Sequence, residues 1–264
     1  MRVGVFGAAG RVGSTVCQAV AAEPDMDLVA AVDPALAGTV LHTSEGPLTV
    51  AGDWAELARA GAEVAVDFTV ADAAIKNIGW CAEHEVHAVV GTTGFSEPQL
   101  QLAEELFSQS SANCVVAPNF AIGAVLMMRF AELAAPFMDG VEIVELHHNA
   151  KADAPSGTAI ATAEAIARGR ARSGSGDWAR DATDRHTIAG TRGGKGPGGV
   201  SVHALRIPGL VSHQEVVMGA TGQSLIIRHD SYDRTSFMPG VLLAIRSVAG
   251  RPGLTRGLAP LLGL

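Results

Sequence analysis

Short apolar runs alternate with longer amphipathic stretches along the first 120 residues of the chain. The apolar runs are Val3–Phe6, Leu28–Val32, Val64–Phe68, His87–Val90 and Cys114–Ala117. The stretches between them that predict helices are Gly13–Ala22, Asp72–Glu83 and Glu97–Ser108. Continuously apolar strands are buried on both faces, which is typical of a parallel sheet with helices on each side. The pattern therefore predicts an α/β fold with a doubly wound parallel sheet.

The pattern changes after Phe120. A helix is predicted over Ala121–Ala135, because Pro136 ends it. An alternating, half-exposed strand is predicted over Val141–His148, followed by a helix from about Ser156 to Arg172. If that strand continues through His148, the two adjacent imidazoles, of residues 147 and 148, point to opposite faces.

Three further β-type stretches close this half and are joined by short turns. They are Val200–Ile207, Val211–Met218 and Ser224–His229. We expect them to form an antiparallel meander. A final helix over Phe237–Val248 is expected to pack on the first half. The glycine-rich segment Gly190–Gly199 is not expected to be regular, and it is either a flexible connection or a lid that orders over a ligand.

Composition and charge exclude several classes of protein. The chain is 48% apolar with a mean hydropathy of +0.25, so general disorder is excluded. A net charge of −8 argues against nucleic acid or a membrane surface as the main partner. The cysteines, Cys17, Cys81 and Cys114, are odd in number and widely spaced, which favours a reducing compartment and a cytoplasmic location. With no signal peptide and no apolar run of about 18 residues, we expect no membrane anchor.

A glycine-rich turn follows the first predicted strand and opens the first helix. Gly7, Gly10 and Gly13 are spaced as G-x-x-G-x-x-G. A dinucleotide site needs small residues there, since the backbone must approach a pyrophosphate at a helix N-terminus. A plain strand–helix turn would also explain the glycines taken alone. Asp33 ends the second strand, where a carboxylate can bind the ribose hydroxyls or, alternatively, start a turn before Pro34.

Two later strands also end in small or polar residues, in the segments Gly91–Gly94 and Ala117–Phe120. Ligands bind at the carboxyl ends of the strands of an open parallel sheet. Three such ends on one edge favour a cofactor cleft over ordinary turns. Asp33 would repel a ribose 2′-phosphate and Arg11 would attract one, so use of both NADH and NADPH is expected.

Two histidines, a lysine and a predicted helix start fall close together in the segment from Glu145 to Ala159. A metal site, a structural surface cluster and an anion-binding catalytic site are the three interpretations. Adjacent strand histidines are poor co-ligands, which disfavours a metal and leaves none expected. The residues favour the catalytic site, because Lys151 and a helix N-terminus suit a carboxylate, and a histidine can transfer a proton near neutral pH.

The segment reads E-L-H-H-N-A-K-A-D-A-P-S-G-T-A, with G-A-A-G-R-V-G at 7–13, G-T-T-G-F at 91–95 and A-P-N-F-A-I-G at 117–123. In these motifs and their order the chain resembles the 4-hydroxy-tetrahydrodipicolinate reductase family, long called dihydrodipicolinate reductase, over nearly its whole length. The resemblance implies NAD(P)H-dependent reduction of a small cyclic dicarboxylate in diaminopimelate and lysine biosynthesis. It also implies a cytoplasmic homotetramer assembled through the open sheet of the second domain.

The resemblance further implies roles for particular residues. His147 would be the proton donor and acceptor, Lys151 a second proton donor, and His148 a substrate contact, with Gly157 and Thr158 holding a substrate carboxylate. The implied cofactor contacts are Gly7, Ala8, Ala9, Gly10, Arg11, Val12, Asp33, Gly91, Thr92, Thr93, Ala117, Pro118, Asn119 and Phe120. Some members carry Arg after the acidic residue where this chain has Pro34, which weakens the case for strict NADPH use.

We therefore expect a dinucleotide-binding domain of residues 1–119 and 231–264. A smaller α+β domain of residues 120–230, with an open and mostly antiparallel sheet, would bind substrate and form the oligomer. Two alternatives stay open at this point. One is another two-domain NAD(P)-dependent dehydrogenase, and the other is a non-catalytic dinucleotide sensor.

Overall fold

A computed structural model of the chain describes residues 1–44 and 46–264. These residues form two compact units, Met1–Ile122 with Arg234–Leu264, and Gly123–Asp233. The strands are β1 (Arg2–Phe6), β2 (Asp27–Val32), β3 (Val40–Thr43), β4 (Gly46–Thr49), β5 (Val64–Asp67), β6 (His87–Val90), β7 (Cys114–Val116), β8 (Gly140–His147), β9 (Gly194–Lys195), β10 (Ser201–Arg206), β11 (Ser212–Ala220), β12 (Gln223–Ser231) and β13 (Leu254–Arg256). The helices are α1 (Gly13–Ala21), α2 (Ala55–Arg59), α3 (Ala71–Glu83), α4 (Glu97–Ser108), α5 (Ile122–Ala134), α6 (Gly157–Ser173) and α7 (Met238–Val248).

The first unit is built on a parallel sheet with the strand order β13-β7-β6-β5-β1-β2. Helices α1 and α7 contact each other, as do α3 and α4, which gives the two helical layers of a doubly wound fold. The central strands are buried because their side chains are apolar on both faces. This confirms the predicted fold class and the five predicted strands. The hairpin of β3 and β4, the short helix α2 and the edge strand β13 are elements that the pattern did not predict.

The second unit is built on a mixed sheet with the strand order β12-β11-β8-β10-β9. Its core lies on one face of this sheet, where α5 and α6 contribute Met127, Ala131, Ala163 and Ile166. Along β8 the burial alternates, as the hydrophobic pattern predicts for a strand covered on one face. The strand ends at His147, so His148 belongs to the following turn rather than to the opposite face of the strand.

The predicted antiparallel meander is wrong at its first connection. β10 and β11 are not neighbours, because β8 lies between them, parallel to β10 and antiparallel to β11. The connection from β8 to β10 runs through α6, and two parallel strands require such a crossover. Only β11 and β12 form the expected hairpin, with a register from Ser212 opposite Ser231 to Ala220 opposite Gln223.

The glycine-rich segment is partly regular, contrary to the expectation. Residues Gly194 and Lys195 form β9, which pairs with Val202 and Ser201 of β10. Gly193 and Gly199 adopt positive φ angles of 68° and 73° on either side of this short strand. Glycine adopts these angles without strain, which allows the chain to turn into and out of the sheet edge. Elsewhere, none of the helices in the described ranges is long and apolar enough to cross a membrane.

Candidate functional site

A cavity of about 510 Å³ lies in the first unit, at the carboxyl ends of β1, β2 and β5. Its walls include Phe6 and Gly7 after β1, Pro34 after β2, and Thr69 and Lys76 from the β5–α3 segment. The strand order reverses beside β1, since β2 lies on one side of it and β5 on the other. Such a reversal creates the crevice in which open parallel sheets bind ligands.

The turn between β1 and α1 has the small residues that a dinucleotide site needs. Gly7 has a φ of 67°, and its carbonyl oxygen accepts a hydrogen bond of 2.9 Å from the Gly10 amide. A Cβ atom at Gly13 would lie 2.0 Å from the Gly7 oxygen, so only glycine allows this close approach. The same small residues let a pyrophosphate reach the helix N-terminus, and the residues present therefore suit a nicotinamide dinucleotide.

A buried hydrogen-bond network fixes the strand ends beside this cavity. Oδ1 of Asp67, at the end of β5, accepts hydrogen bonds from the Thr69 amide (2.8 Å) and from the Thr92 hydroxyl (2.9 Å). Oδ2 accepts a hydrogen bond of 2.6 Å from Asn77, whose own Oδ1 accepts one of 2.7 Å from the Trp54 indole. The network ties β5, β6 and α3 together, which rigidifies the walls of the cavity.

The predicted cofactor residues do not all line one cavity. Asp33 is half-buried between the cavity-lining Val32 and Pro34, and its Oδ1 accepts a hydrogen bond of 3.2 Å from the Ala35 amide. Thr92, Thr93 and Pro118 line a smaller cavity of about 180 Å³ in the same unit. Ala8, Ala117 and Phe120 are buried in the core. Gly91 allows close packing, since a Cβ there would lie 2.1 Å from the Phe68 ring.

The candidate catalytic cluster lies in the second unit, on three neighbouring strands. Glu145 and His147 are two residues apart on β8, so both side chains project from the same face. Arg206 of β10 and Ser212 of β11 are each directly opposite His147 in the strand register. The sheet therefore collects a carboxylate, an imidazole, a guanidinium and a hydroxyl from separate parts of the sequence.

Hydrogen bonds engage both ring nitrogens of His147. Nδ1 is 2.6 Å from Oε2 of Glu145, and Nε2 is 3.1 Å from the hydroxyl oxygen of Ser212. Arg206 donates to both oxygens of Glu145 at 2.8 Å, as a bidentate pair. The Glu145 side chain is fully buried, while His147 keeps 13% of its side chain exposed.

Local charges set the protonation of this cluster. Burial opposes ionisation of Glu145, but the Arg206 guanidinium and the His147 ring hold the pKa of its carboxyl below its ordinary value. Burial also lowers the pKa of His147, and Lys151 and Arg206 lower it further, while Glu145 opposes them. An ionised carboxylate only accepts hydrogen bonds, so Nδ1 of His147 carries a proton and Nε2 is the nitrogen that gains and loses one.

Lys151 follows in the loop between β8 and α6. Its Nζ donates a hydrogen bond of 2.6 Å to Oδ1 of Asp153, and its side chain is 20% exposed. The Lys151 ammonium holds the pKa of the Asp153 carboxyl below its ordinary value. His148 is exposed in the same loop. The lysine is thus held on one side by a carboxylate at the surface, where a dicarboxylate ligand can compete for it.

Helix α6 begins at the other end of this loop. Ser156 caps it, since the Ser156 hydroxyl accepts a hydrogen bond of 3.2 Å from the Ala159 amide. The Ser156 amide donates to Oε1 of Glu145 at 3.1 Å, which links the helix start to β8. Gly157 and Thr158 occupy the first turn of a helix of 17 residues. A helix N-terminus of this length stabilises an anion through its amides and its dipole.

The sequence analysis did not single out three residues of the cluster, namely Glu145, Arg206 and Ser212. The spacing of Glu145 and His147 carries a usable signal, because residues two apart on a strand share a face. No comparable signal exists for Arg206 and Ser212, since their positions opposite His147 depend on the register of three strands. In the first unit, Trp54, Thr69 and Lys76 line the cavity of about 510 Å³ and were likewise not anticipated.

Comparison with known proteins gives concordant matches. The model of the dihydrodipicolinate reductase N-terminus matches residues 1–120, and that of the C-terminus matches residues 123–262. A 4-hydroxy-tetrahydrodipicolinate reductase from Thermobifida fusca is 51% identical, with all of both chains covered. The enzyme of the same name from Cutibacterium acnes is 50% identical, covering 100% of this chain and 99% of the relative.

Solved structures agree with these matches. A dipicolinate-bound dihydrodipicolinate reductase from Paenisporosarcina sp. TG-14 superposes with a TM-score of 0.86 at 38% identity, covering 98% of each chain. An amine dehydrogenase from Mycobacterium smegmatis superposes with a TM-score of 0.64 at 16% identity, covering 97% of this chain and 94% of its own. The second likeness extends to the fold alone.

Proposed function

The chain belongs to the dihydrodipicolinate reductase family, and from this premise we propose which of its residues carry the reaction. It is an oxidoreductase that reduces 4-hydroxy-tetrahydrodipicolinate with NAD(P)H in diaminopimelate and lysine biosynthesis. One observation supports this assignment of residues most strongly. Both ring nitrogens of His147 are hydrogen-bonded, to Glu145 and Ser212, and the loop that contains Lys151 follows directly in the chain.

His147 is the proton donor of the reaction. The substrate loses water, because its hydroxyl leaves together with a proton from the adjacent ring carbon. The ring then gains a hydride at one carbon and a proton at the neighbouring carbon. The nicotinamide supplies the hydride when it is bound. Nε2 of His147 supplies the proton, because Nδ1 is held by Glu145 at 2.6 Å. A pKa below the ordinary histidine value makes the imidazolium a stronger acid, which favours transfer to carbon.

Lys151 and the start of α6 bind the anionic substrate. Gly157 and Thr158 offer the first-turn amides, and Ser156 orients them by capping the helix. The Lys151 ammonium lies in the loop before α6 and is a second proton donor to the substrate. His148, exposed beside it, contacts the substrate. A carboxylate of the substrate is therefore stabilised in two ways, by an ion pair with Lys151 and by the dipole at the start of α6.

The glycine loop of the first unit holds the dinucleotide, with contacts from Gly7 to Val12. Oδ1 of Asp33 is taken by the turn at Ala35, so Oδ2 is the oxygen for the ribose hydroxyls. Arg11 is exposed on the loop, where its charge attracts a ribose 2′-phosphate. The two side chains favour different cofactors, and we therefore propose that the enzyme uses both NADH and NADPH.

Replacing Asp33 with alanine tests this assignment. The variant is expected to raise KM for NADH several-fold and to raise KM for NADPH less. The carboxylate accepts hydrogen bonds from the free ribose hydroxyls of NADH, whereas NADPH carries a phosphate on one of them. Steady-state KM values for both cofactors at saturating substrate give the comparison. Asp27→Ala is a matched control and is expected to leave both KM values unchanged, since Asp27 is exposed at the opposite end of β2. A larger rise for NADPH would contradict the ribose assignment.

The overall function is tested directly by the loss of NADH absorbance at 340 nm, with the substrate generated in situ by the preceding synthase. Turnover that depends on the synthase product supports the proposed site. A protein that binds NADH without turnover would instead be a dinucleotide sensor. The His147 variant described in the Discussion separates turnover at this site from contaminating activity.

We also propose a homotetramer assembled through the sheet of the second unit. The face of that sheet opposite α6 carries Val144, Leu146 and Val217, which are only half-buried, and Ile226, which is 58% exposed. Apolar side chains on an uncovered sheet face favour association with another copy. Sedimentation equilibrium is expected to give four times the chain mass of 27.0 kDa. A mass of 27.0 kDa would refute the proposal.

The cysteines agree with a cytoplasmic location, which remains a proposal. All of them are unpaired and buried. Burial raises the pKa of the Cys17 thiol to about 12 and raises the pKa values of the Cys81 and Cys114 thiols as well. Such thiols are protonated and unreactive, as expected for residues that pack in the core of a protein in a reducing compartment.

A further inference from the structure

Glu145 is a fully buried carboxylate in the cluster around His147, and its two oxygens accept four hydrogen bonds. It accepts hydrogen bonds from both terminal nitrogens of Arg206, from Nδ1 of His147 and from the amide of Ser156. A buried charge without such partners would strongly destabilise the folded state. The arrangement is therefore built around an ionised carboxylate rather than a neutral one.

We propose that Glu145 is a positioning residue, which fixes the ring of His147 and the start of α6 in one geometry, and that Arg206 is its counter-charge. This inference rests on the proposed role of His147 as proton donor. Glu145 touches neither substrate nor cofactor in this scheme. It acts through two neighbours, one that transfers the proton and one that begins the anion-binding helix.

The geometry explains why a glutamate is needed rather than an amide. A carboxylate accepts from Nδ1–H, Arg206 and the Ser156 amide at once, whereas a glutamine has only one accepting oxygen. The carboxylate fixes the tautomer in which Nε2 is unprotonated in the neutral ring, and the Ser212 hydroxyl then donates to Nε2. Protonation therefore takes place at Nε2, on the side of the ring away from Glu145.

The charges that face His147 come from three elements. Glu145 lies on its own strand, Arg206 on β10, and Lys151 with its partner Asp153 in the loop before α6. From β11 the facing group is the uncharged hydroxyl of Ser212. Among the residues that the structure describes, Glu145 is thus the one negative charge hydrogen-bonded to the ring, and Arg206 balances it. Removing the Glu145 charge is expected to lower the pKa of His147, and removing the Arg206 charge is expected to raise it.

Glu145→Gln is the central test, with the titration of His147 followed by NMR in the unliganded protein. The His147 signal is assigned by its absence in His147→Gln. We expect the apparent pKa of His147 to fall by about one unit or more in Glu145→Gln, because a directly bonded negative charge is lost. Arg206→Met is expected to raise it, because the guanidinium no longer offsets the carboxylate. An unchanged titration in both variants would overturn the proposal.

The pH dependence of kcat/KM gives a second readout that a merely structural role would not move. His147 must be protonated to donate, so activity falls as pH rises through its pKa. A one-unit fall in that pKa makes the loss in Glu145→Gln about tenfold greater at a pH well above both pKa values than at a pH well below them, once the wild type is divided out. A loss of the same factor at every pH would indicate general damage and would contradict the proposal.

Glu142→Gln is the matched control. Glu142 lies on the same strand, pairs with a histidine and an arginine (His203 at 2.7 Å, and Arg192), and projects from the other face. It makes no contact with His147, so we expect the His147 titration and the pH profile to stay unchanged. A shift in this variant equal to that in Glu145→Gln would show that any charge change in the sheet suffices, which would refute the specific role of Glu145.

Folding and function are separated within the same set of variants. Thermal melts by circular dichroism identify a Glu145→Gln protein that has not folded, and Glu145→Gln/Arg206→Met then replaces it, since no buried charge is left unpaired. A downward shift of the His147 titration is expected there too, though a smaller one. Wild-type turnover in His147→Gln would refute the proposed catalytic role, whereas the titration tests the positioning by Glu145 independently of activity.

Discussion

Replacing His147 with glutamine is expected to lower kcat by roughly 10²–10³-fold, which is the typical contribution of a positioned general acid. The glutamine amide can still donate to Glu145, so the buried carboxylate keeps a partner and the fold is expected to survive. Cofactor affinity is expected to stay nearly unchanged, because the glycine loop belongs to the other unit. Steady-state kinetics and a fluorescence titration with NADH measure the two quantities.

His203→Gln is a suitable control for this variant. His203 lies on β10 of the same sheet, and its Nε2 is 2.7 Å from a glutamate, Glu142, as His147 is from Glu145. It lies outside the proposed catalytic site but on the sheet face proposed for assembly, so the mass of the variant by sedimentation is compared with wild type first. Its kcat is then expected to stay within a few-fold of wild type. If His147→Gln turned over as fast as His203→Gln, His147 would have no part in proton transfer.

Replacing Lys151 with methionine is expected to lower kcat/KM by about 10²-fold or more. A charged hydrogen bond to the substrate is lost, together with a second proton donor, while the aliphatic length of the side chain is kept. The separate parameters identify the role. A rise in KM alone means that Lys151 binds the substrate equally in the ground and transition states, whereas a fall in kcat means that it acts in the transition state.

Two further variants separate the charge of Lys151 from its role as a proton donor. Asp153→Asn removes the carboxylate that holds Nζ at 2.6 Å but keeps the ammonium, and it is expected to change kcat/KM by less than about tenfold. Lys151→Arg keeps the charge and is expected to recover binding more than turnover, because a guanidinium does not release a proton near neutral pH. An unaltered kcat/KM in Lys151→Met would show that the lysine is only surface charge.

Much of the fold follows from local pattern. Apart from Arg2, Asp67 and His87 at their ends, strands β1, β5, β6 and β7 are apolar, and the parallel sheet is the arrangement that buries both of their faces. The glycine turn after β1 was recognisable because only glycine tolerates the approach of Gly13 to the Gly7 carbonyl. In both cases the physical constraint acts within a short stretch of chain, and the residue types record it directly.

The candidate site is readable from the sequence only in part. His147, Lys151 and the start of α6 lie within a single segment, so their types and spacing suggest anion binding and proton transfer. Their roles stay predictions until the variants are measured. Glu145 shares a strand face with His147 and could have been found by period-two spacing. The sequence contains no local trace of which residues stand beside that face.

The sheet of the second unit shows where local information ends. Hydrophobic alternation predicted its strands, but it led to an antiparallel meander in which β10 and β11 would be neighbours. In the folded chain β8 lies between them. Alternation reports which side of a strand is buried, and it is the same for parallel and antiparallel partners. Strand order is a property of the assembled sheet and depends on the crossover through α6.

The doubly wound sheet, the glycine turn and the family to which the chain belongs can all be read along the chain, because each is encoded in contiguous residues. The folded chain alone reveals that Arg206 and Ser212 flank His147, and that a buried Glu145 joins Arg206, the imidazole and the start of α6. The reason is physical. The pKa of a histidine depends on charges a few ångströms away on neighbouring strands, and those distances are defined only once the strand register is set.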